Sequence, residues 1–597
     1  MRSTPTPTAD TATDDAAHLA AYVADLDARY DPDVRMPWCH ATGPGYHTRV
    51  AEGARAHQTK EAADYAIALL RLGRAERAGE VLDALVALQV TDPLAAHYGI
   101  WGWFLEEPPE RMDPADWNWA DFIGVRLAQV LAGHGDRLAP GLRDRVRAAL
   151  HHAAMAIFRR NADPGYTNIA VMGAVTVAAA AEILHAATPA SPGLGPLGSG
   201  LLLEYARRRL RAVLTLHDEA GGFTEYNSPA YGRVVLEELE RAALIVADPE
   251  FRELAERLRE RTWAALAARF HPATGQLAGP MSRAYHDWIQ PGLAGYLRAQ
   301  TGAAIVAREE PRDAPLLVPP LLVPPLPCPP HIAGRFRALP EAPYTVRTRF
   351  GSETTGTSWL DEDACLGSAE EEFAWVQRRP LLGYWRTPDD PAVVLRARML
   401  LNGHDLSAAW CRNHQDGPRV LSAWWLSYDS GDFHPALDRP AGSVFHVADL
   451  RLVVSLRGRG VWAREQREQR EQGEPAAGVL ALGAGDRYAV VHTAPGEFLG
   501  RTATWRIVEE DGEARAELVL YAGPPTPVDF HHARLRAAFA LELLTTGTPP
   551  RTAVLTGEET GKETGEETCE ATAPGRIHWR WDTLTVTTPL DPTPFGR

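Results

Sequence analysis

Residues 223–232 read FTEYNSPAYG and place two phenols, Tyr226 and Tyr231, around Asn227, Ser228 and Pro229. Ser228 suits an N-cap and Pro229 a first helical residue, so a helix is predicted to begin near Ala230. Tyr231 then lies in the first turn and Tyr226 and Asn227 in the loop before it. Unpaired N–H groups and the positive end of the helix dipole favour an anion there. A phenol in that place is expected to have a lowered pKa, as a phenolic base needs near neutral pH. The competing reading is a helix cap with two packed rings.

Other stretches add groups of the same kind. Asn168 stands at the start of an apolar helix in GYTNIAVMGA, where a buried amide must either cap locally or face a polar cavity. DPADWNWADFIG brings Trp117, Trp119 and Asp121, aromatic faces and a carboxylate that suit a sugar ring or a packed helix start. LAGPMSRAYHDW puts Arg283, Tyr285 and His286 in a loop, and an arginine can grip a carboxylate with two parallel bonds. Later segments offer His404, His414, the trio Tyr384, Trp385 and Arg386, and the pair Asp432 and His434. No HExxH or close histidine pair fixes a metal geometry, so no zinc site is expected. Phosphate-binding and nucleophile-elbow motifs are not found in a supporting context.

The elements that must position these groups change type along the chain. Residues 1–15 are rich in Thr, Pro, Asp and Ala and are expected to be disordered. Residues 16–310 read as serial amphipathic or buried helices joined by short turns, which fits an α/α toroid or solenoid better than a four-helix bundle. Residues 311–340 open with a duplicated LLVPP and are expected to form a stiff linker. Residues 341–597 are rich in β-branched and aromatic residues with frequent alternation, and Asp511-Gly512 signals a hairpin. The expected class is multidomain α+β, a toroid followed by an antiparallel β-sandwich. Two polar low-complexity stretches, 465–472 and 556–568, are expected to be solvated loops.

Composition narrows the function. The 597 residues exceed one ordinary domain, and the net charge of -16 argues against nucleic acid or an anionic membrane as the main partner. An acidic ligand would need a local cluster of Arg, His or amide donors. Five widely spaced cysteines without a CxxC suggest reduced thiols rather than a disulfide scaffold. No apolar leader or long apolar run is seen, so a cytoplasmic protein is expected.

Together these residues resemble the heparinase II/III-like polysaccharide lyases, which combine an α/α toroid with a β-sandwich. GGFTEYNSPAYG is similar to the family stretch written DGxxxExSPxYH. The resemblance implies that Tyr231 is the catalytic tyrosine and that Glu225 matches the acidic position. Gly232 stands where many members have histidine. It also implies that Asn168 neutralises a substrate carboxylate, and that the family's sandwich histidine is His404, with His414 next. Tyr226 is carried as a second candidate catalytic phenol. Asn227, Arg283, Tyr285, His286, Trp117, Trp119, Asp121 and Trp385 are carried as substrate-binding candidates.

The activity so implied is β-elimination on a uronic-acid-containing oligo- or polysaccharide. Removing the proton α to the carboxylate builds negative charge on that group, which amide or guanidinium donors stabilise. No metal or organic cofactor is strictly required, and homo-oligomerisation stays open. Two other readings compete. A glycoside hydrolase would need paired carboxylates, for which Asp121, Glu225 and Glu237 are the candidates. A non-catalytic carbohydrate-binding protein would keep the tryptophans and be indifferent to Tyr231.

Overall fold

The computed structural model describes residues 9–42, 47–186, 193–305, 322–351, 354–466, 478–560 and 575–596. The chain divides into two compact units. The first is Met1–Leu216 with Arg233–Thr262 and Pro311–Pro327; the second is His217–Gly232 with Trp263–Glu310 and Cys328–Arg597.

Helices build the first unit: α1 (Ala9–Ala28), α2 (Thr59–Arg71), α3 (Ala75–Val86), α4 (Trp119–His134), α5 (Pro140–Arg160) and α6 (Thr167–Ile183), with most of α7 (Gly195–Ala220), α8 (Pro229–Ile245) and α9 (Pro249–Arg269). α1 begins inside the N-terminal stretch expected to be disordered. α2 packs on α3 and α4, and α5 packs on α3, α4 and α6. α6 is buried almost all round, as its Ala- and Val-rich sequence requires. The core of this unit also holds charge. Arg241 is fully buried and binds Glu237, Glu238 and the Gln129 side chain. Glu237, a carboxylate candidate for hydrolysis, is therefore an ion-pair partner of Arg241. The expected linker lies in part outside the described residues, and its described beginning is packed: Leu322 and Val323 are buried and the Leu322 carbonyl accepts from Gln129. An apolar Leu-Val step seeks cover even between prolines.

The second unit holds two antiparallel layers over one core. In the first layer the neighbours run Tyr344–Phe350, Thr354–Leu360, Ala364–Ala369, Leu381–Trp385, Val393–Leu401, Val444–Arg457, Glu513–Asp529 and Arg501–Glu510. In the second they run Glu371–Phe373, Ala409–Asp416, Arg419–Leu426, Leu535–Thr545, Arg487–Thr493, Val479–Ala484 and Val461–Gln466. Alternation sorts each strand: Val393, Leu395, Ala397, Met399 and Leu401 enter the shared core, while Arg396 and Arg398 fall on the other face. A third sheet, Thr556–Thr560, Arg576–Trp581 and Leu584–Pro589, covers Leu421, Ala423, Ala538 and Ala540. Its first strand arises where a solvated loop was expected, because the polar stretch finds a partner strand at Arg576–Trp581. Asp511-Gly512 forms the predicted two-residue turn, with Gly512 at φ 73°. Helix α10 (Pro291–Thr301) and the short α11 (Pro330–Ala333) also belong to this unit. Among the described residues no helix is long and apolar enough to cross a membrane.

Candidate functional site

Local chemistry shapes the loop before α8. Ser228 caps the helix as predicted: its Oγ accepts from the Tyr231 N–H at 3.0 Å and donates to the Arg283 carbonyl at 2.6 Å. Asn227 takes a left-handed φ of 42°, which asparagine tolerates, and its amide donates to the carbonyls of Ala278 and Pro280. Ser282 donates to the Tyr226 carbonyl through both its N–H and its Oγ. The loop 278–285 is pinned in turn to the segment 375–379. Met281 and Arg379 exchange two backbone bonds, and the Ala284 N–H reaches the Gln377 carbonyl at 2.7 Å.

These bonds gather one cluster, all of it within the second unit. The Tyr231 and Tyr285 hydroxyls are 2.6 Å apart. Arg283 donates from Nη2 to the Tyr231 hydroxyl at 3.0 Å, from Nη1 to Glu225 at 3.3 Å and from Nε to Gln377 at 2.6 Å. Its guanidinium lies over the rings of Tyr231 and Trp375, at 4.7 and 5.3 Å. Trp375 meets the His434 ring edge-on at 5.2 Å. His434 Nδ1 accepts from the N–H groups of Ala436 and Leu437, which assigns the proton of the neutral ring to Nε2. Tyr231 is half-buried and Tyr285 is 50% exposed, so the phenol pair opens towards solvent at Tyr285.

Beneath this cluster lies an ionic cage. Asp287, two residues beyond Tyr285, binds Arg379 at 2.5 Å, Arg396 at 3.1 Å and also Arg457. Asp405 bridges Arg396 and Arg398. Burial alone would raise the Asp287 carboxyl, but the surrounding guanidiniums win and hold it far below the usual carboxylate range. Arg396 and Arg398 come from the outward face of strand Val393–Leu401, so the sandwich anchors the loop that carries Arg283 and Tyr285.

Several expectations change. The Tyr231 phenol was expected to be lowered by the helix mouth, yet burial pushes it well above its usual range, outweighing the adjacent Arg283. Tyr226 is not a substrate-facing phenol: it is 2% exposed, stacks on Phe350 at 4.0 Å and donates to Glu372 at 2.7 Å. Asn227 spends both amide hydrogens on backbone carbonyls. Trp385 is buried in the sandwich core with its indole N–H on the Ala484 carbonyl. His414 lies against Thr585 of the third sheet. His404 is exposed and meets Phe433, the residue before His434. His286 is exposed beside Tyr285 in the chain. His434, offered by the sequence only as a partner of Asp432, reaches the cluster through Trp375, whereas Trp375 and Gln377 were not singled out, because their partners lie far away in sequence. The one hint was the non-alternating stretch FAWVQRRP between two strands.

The first unit holds the other candidates. Asn168 is 1% exposed in the first turn of α6. Asp121 is 2% exposed, and burial pushes its carboxyl up to about 7 although Arg160 lies 3.7 Å away. Gly173 leaves room for it, since a Cβ there would meet Asp121 Oδ1 at 2.6 Å. Trp119 stacks on Trp103 at 5.1 Å and donates to Thr59. Trp117 is half-buried beside His97. Among the described residues no three His, Cys, Asp or Glu side chains form a group that could hold a metal ion.

A family model described only as a domain of unknown function, DUF8769, matches residues 35–291. No curated protein matches the chain. Among solved structures, a crystal structure of heparinase III is similar over 96% of this chain and 91% of its own, with TM-score 0.40 and 10% identity. A second heparinase III gene product is similar over 88% of this chain and 83% of its own, with TM-score 0.33 and 10% identity. Likenesses of that size carry no argument about activity.

Proposed function

We propose that this protein is a lyase that cleaves uronic-acid-containing glycans by β-elimination. The observation that carries this reading is the hydroxyl pair of Tyr231 and Tyr285, held on the Arg283 guanidinium and open to solvent on one side. A phenol pair beside a fixed positive charge can lose a proton and keep the resulting anion stabilised. That is what abstraction of a weakly acidic C–H α to a carboxylate needs. The C–H electrons then form the C4–C5 double bond, and the bond from C4 to the glycosidic oxygen breaks. The helical unit is read as a toroid, and its serial helix neighbours fit that reading.

The residues that hydrolysis would need are engaged otherwise. Glu225 is bound to Arg283, Glu237 to Arg241, and Asp121 is buried. A deciding experiment is the mass of the products from acidic oligosaccharides of defined length. Elimination gives two products that sum to the substrate. Hydrolysis gives products that sum to the substrate plus one water, and that result would overturn the proposal.

A further inference from the structure

Two phenols share the site, and their surroundings differ. The Tyr231 oxygen already accepts from Arg283 Nη2 at 3.0 Å and lies 2.6 Å from the Tyr285 oxygen. Its ring is covered by the same guanidinium at 4.7 Å, and it is half-buried. Tyr285 is 50% exposed, and it projects from a loop fixed at Ala284 by Gln377 and at Asp287 by three arginines.

We propose that Tyr285 is the phenol that takes the proton from the sugar, and that Tyr231 is a positioning residue that carries the influence of Arg283 to the Tyr285 oxygen. This assignment rests on the lyase reading above. When the pair loses one proton, a single proton is left between the two oxygens. Kept on Tyr231, it points at Tyr285, while the Tyr231 oxygen accepts from Arg283. The chain of bonds then runs Arg283 to Tyr231 to Tyr285, each donor aimed towards the exposed anion. The negative charge lies on the oxygen a sugar can reach, and the half-buried Tyr231 phenol keeps its proton, in keeping with the upward push that burial gives it.

The step balances without any further reagent. The Tyr285 phenolate takes the proton at C5, and the C–H electron pair becomes the C4–C5 double bond. The C4–O bond breaks with its electron pair passing to the glycosidic oxygen. That oxygen takes the same proton back from the Tyr285 hydroxyl, which restores the phenolate. Proton return from one group requires the C5 hydrogen and the leaving oxygen to lie on the same face of the sugar.

The test compares Tyr285→Phe with Tyr231→Phe in the full chain, on an acidic oligosaccharide that the wild type converts to unsaturated product. Tyr285→Phe is expected to lose about 10³-fold or more in kcat, the upper part of the range for a general base. Its melting temperature and its Kd for the oligosaccharide should match the wild type. Tyr231→Phe is expected to lose about 10- to 100-fold, with a pH–rate profile that keeps rising at more alkaline pH than the wild type. Fluorotyrosine at position 285, which preserves shape, should move the rising limb of that profile towards acid, and at position 231 should move it less. A Tyr285→Phe variant within ten-fold of wild type, or a Tyr231→Phe variant that is the more damaged, would overturn the assignment while leaving the lyase reading in place. A wild type that gives no unsaturated product from any acidic oligosaccharide would overturn the lyase reading itself, and this assignment with it.

Discussion

Tyr226 and Tyr231 come from one short stretch of sequence, yet the fold gives them opposite surroundings. One donates inward to Glu372, and the other shares its hydroxyl with an exposed neighbour. Nothing in residue type separates them, because the partners that do so, Phe350, Glu372, Arg283 and Tyr285, are remote in sequence. Asp121 shows the same limit. Its carboxylate looked like a sugar contact, but burial makes it a carboxyl pushed up to about 7. A carboxyl raised in the folded state holds its proton more tightly there than in the unfolded chain. Stability is therefore expected to fall as pH rises from about 4, the unfolded carboxyl value, through about 7, and then to level off. Asp121→Asn should remove that fall, on the order of a few kcal/mol. Denaturant melts at pH 5 and pH 8 check this: the variant should gain over the wild type at pH 8 and much less at pH 5.

Elements were legible where the signal was local. The Ser-Pro start of α8 needed only Ser228 and Pro229, and the buried α6 only its run of Ala and Val. The alternation of Val393–Leu401 gave both its core face and the face that bears Arg396 and Arg398. What remained hidden was pairing across distance: the loop 278–285 with 375–379, and Thr556–Thr560 with Arg576–Trp581. No local pattern marks a loop that adds itself to a distant segment, and a polar repeat conceals a strand. The cap at Ser228 also ties two loops together, so its loss should be felt in both. Ser228→Ala is expected to cost about 1 kcal/mol as a cap. It should also lower kcat about ten-fold, through the freed Arg283 backbone. Urea melts and turnover measured on the same preparation check both. A variant with the stability loss but full turnover would show that the cap does not position Arg283.

At the scale of the whole molecule, a helical first half and a β-rich second half were legible from the change of period. The division between the compact units was not. Residues 217–232 and 263–305 belong with the sandwich although they lie in the helical half of the sequence, because they include the loop bonded to Gln377 and Arg379 and the carboxylate of the arginine cage. The net charge of -16 bears on the proposed substrate. A negative molecule repels an acidic glycan at long range, and salt screens that repulsion with a Debye length of about 8 Å at physiological strength. Accordingly kcat/KM for an acidic oligosaccharide should rise, or hold, as salt increases towards about 0.15 M. A steep fall would mean that local positive charge steers binding instead. The most direct test of the central claim is the ultraviolet absorbance of the purified protein mixed with a panel of uronic-acid oligosaccharides. β-Elimination predicts a rising band from the conjugated enoate with at least one of them. New reducing ends without that band would contradict it.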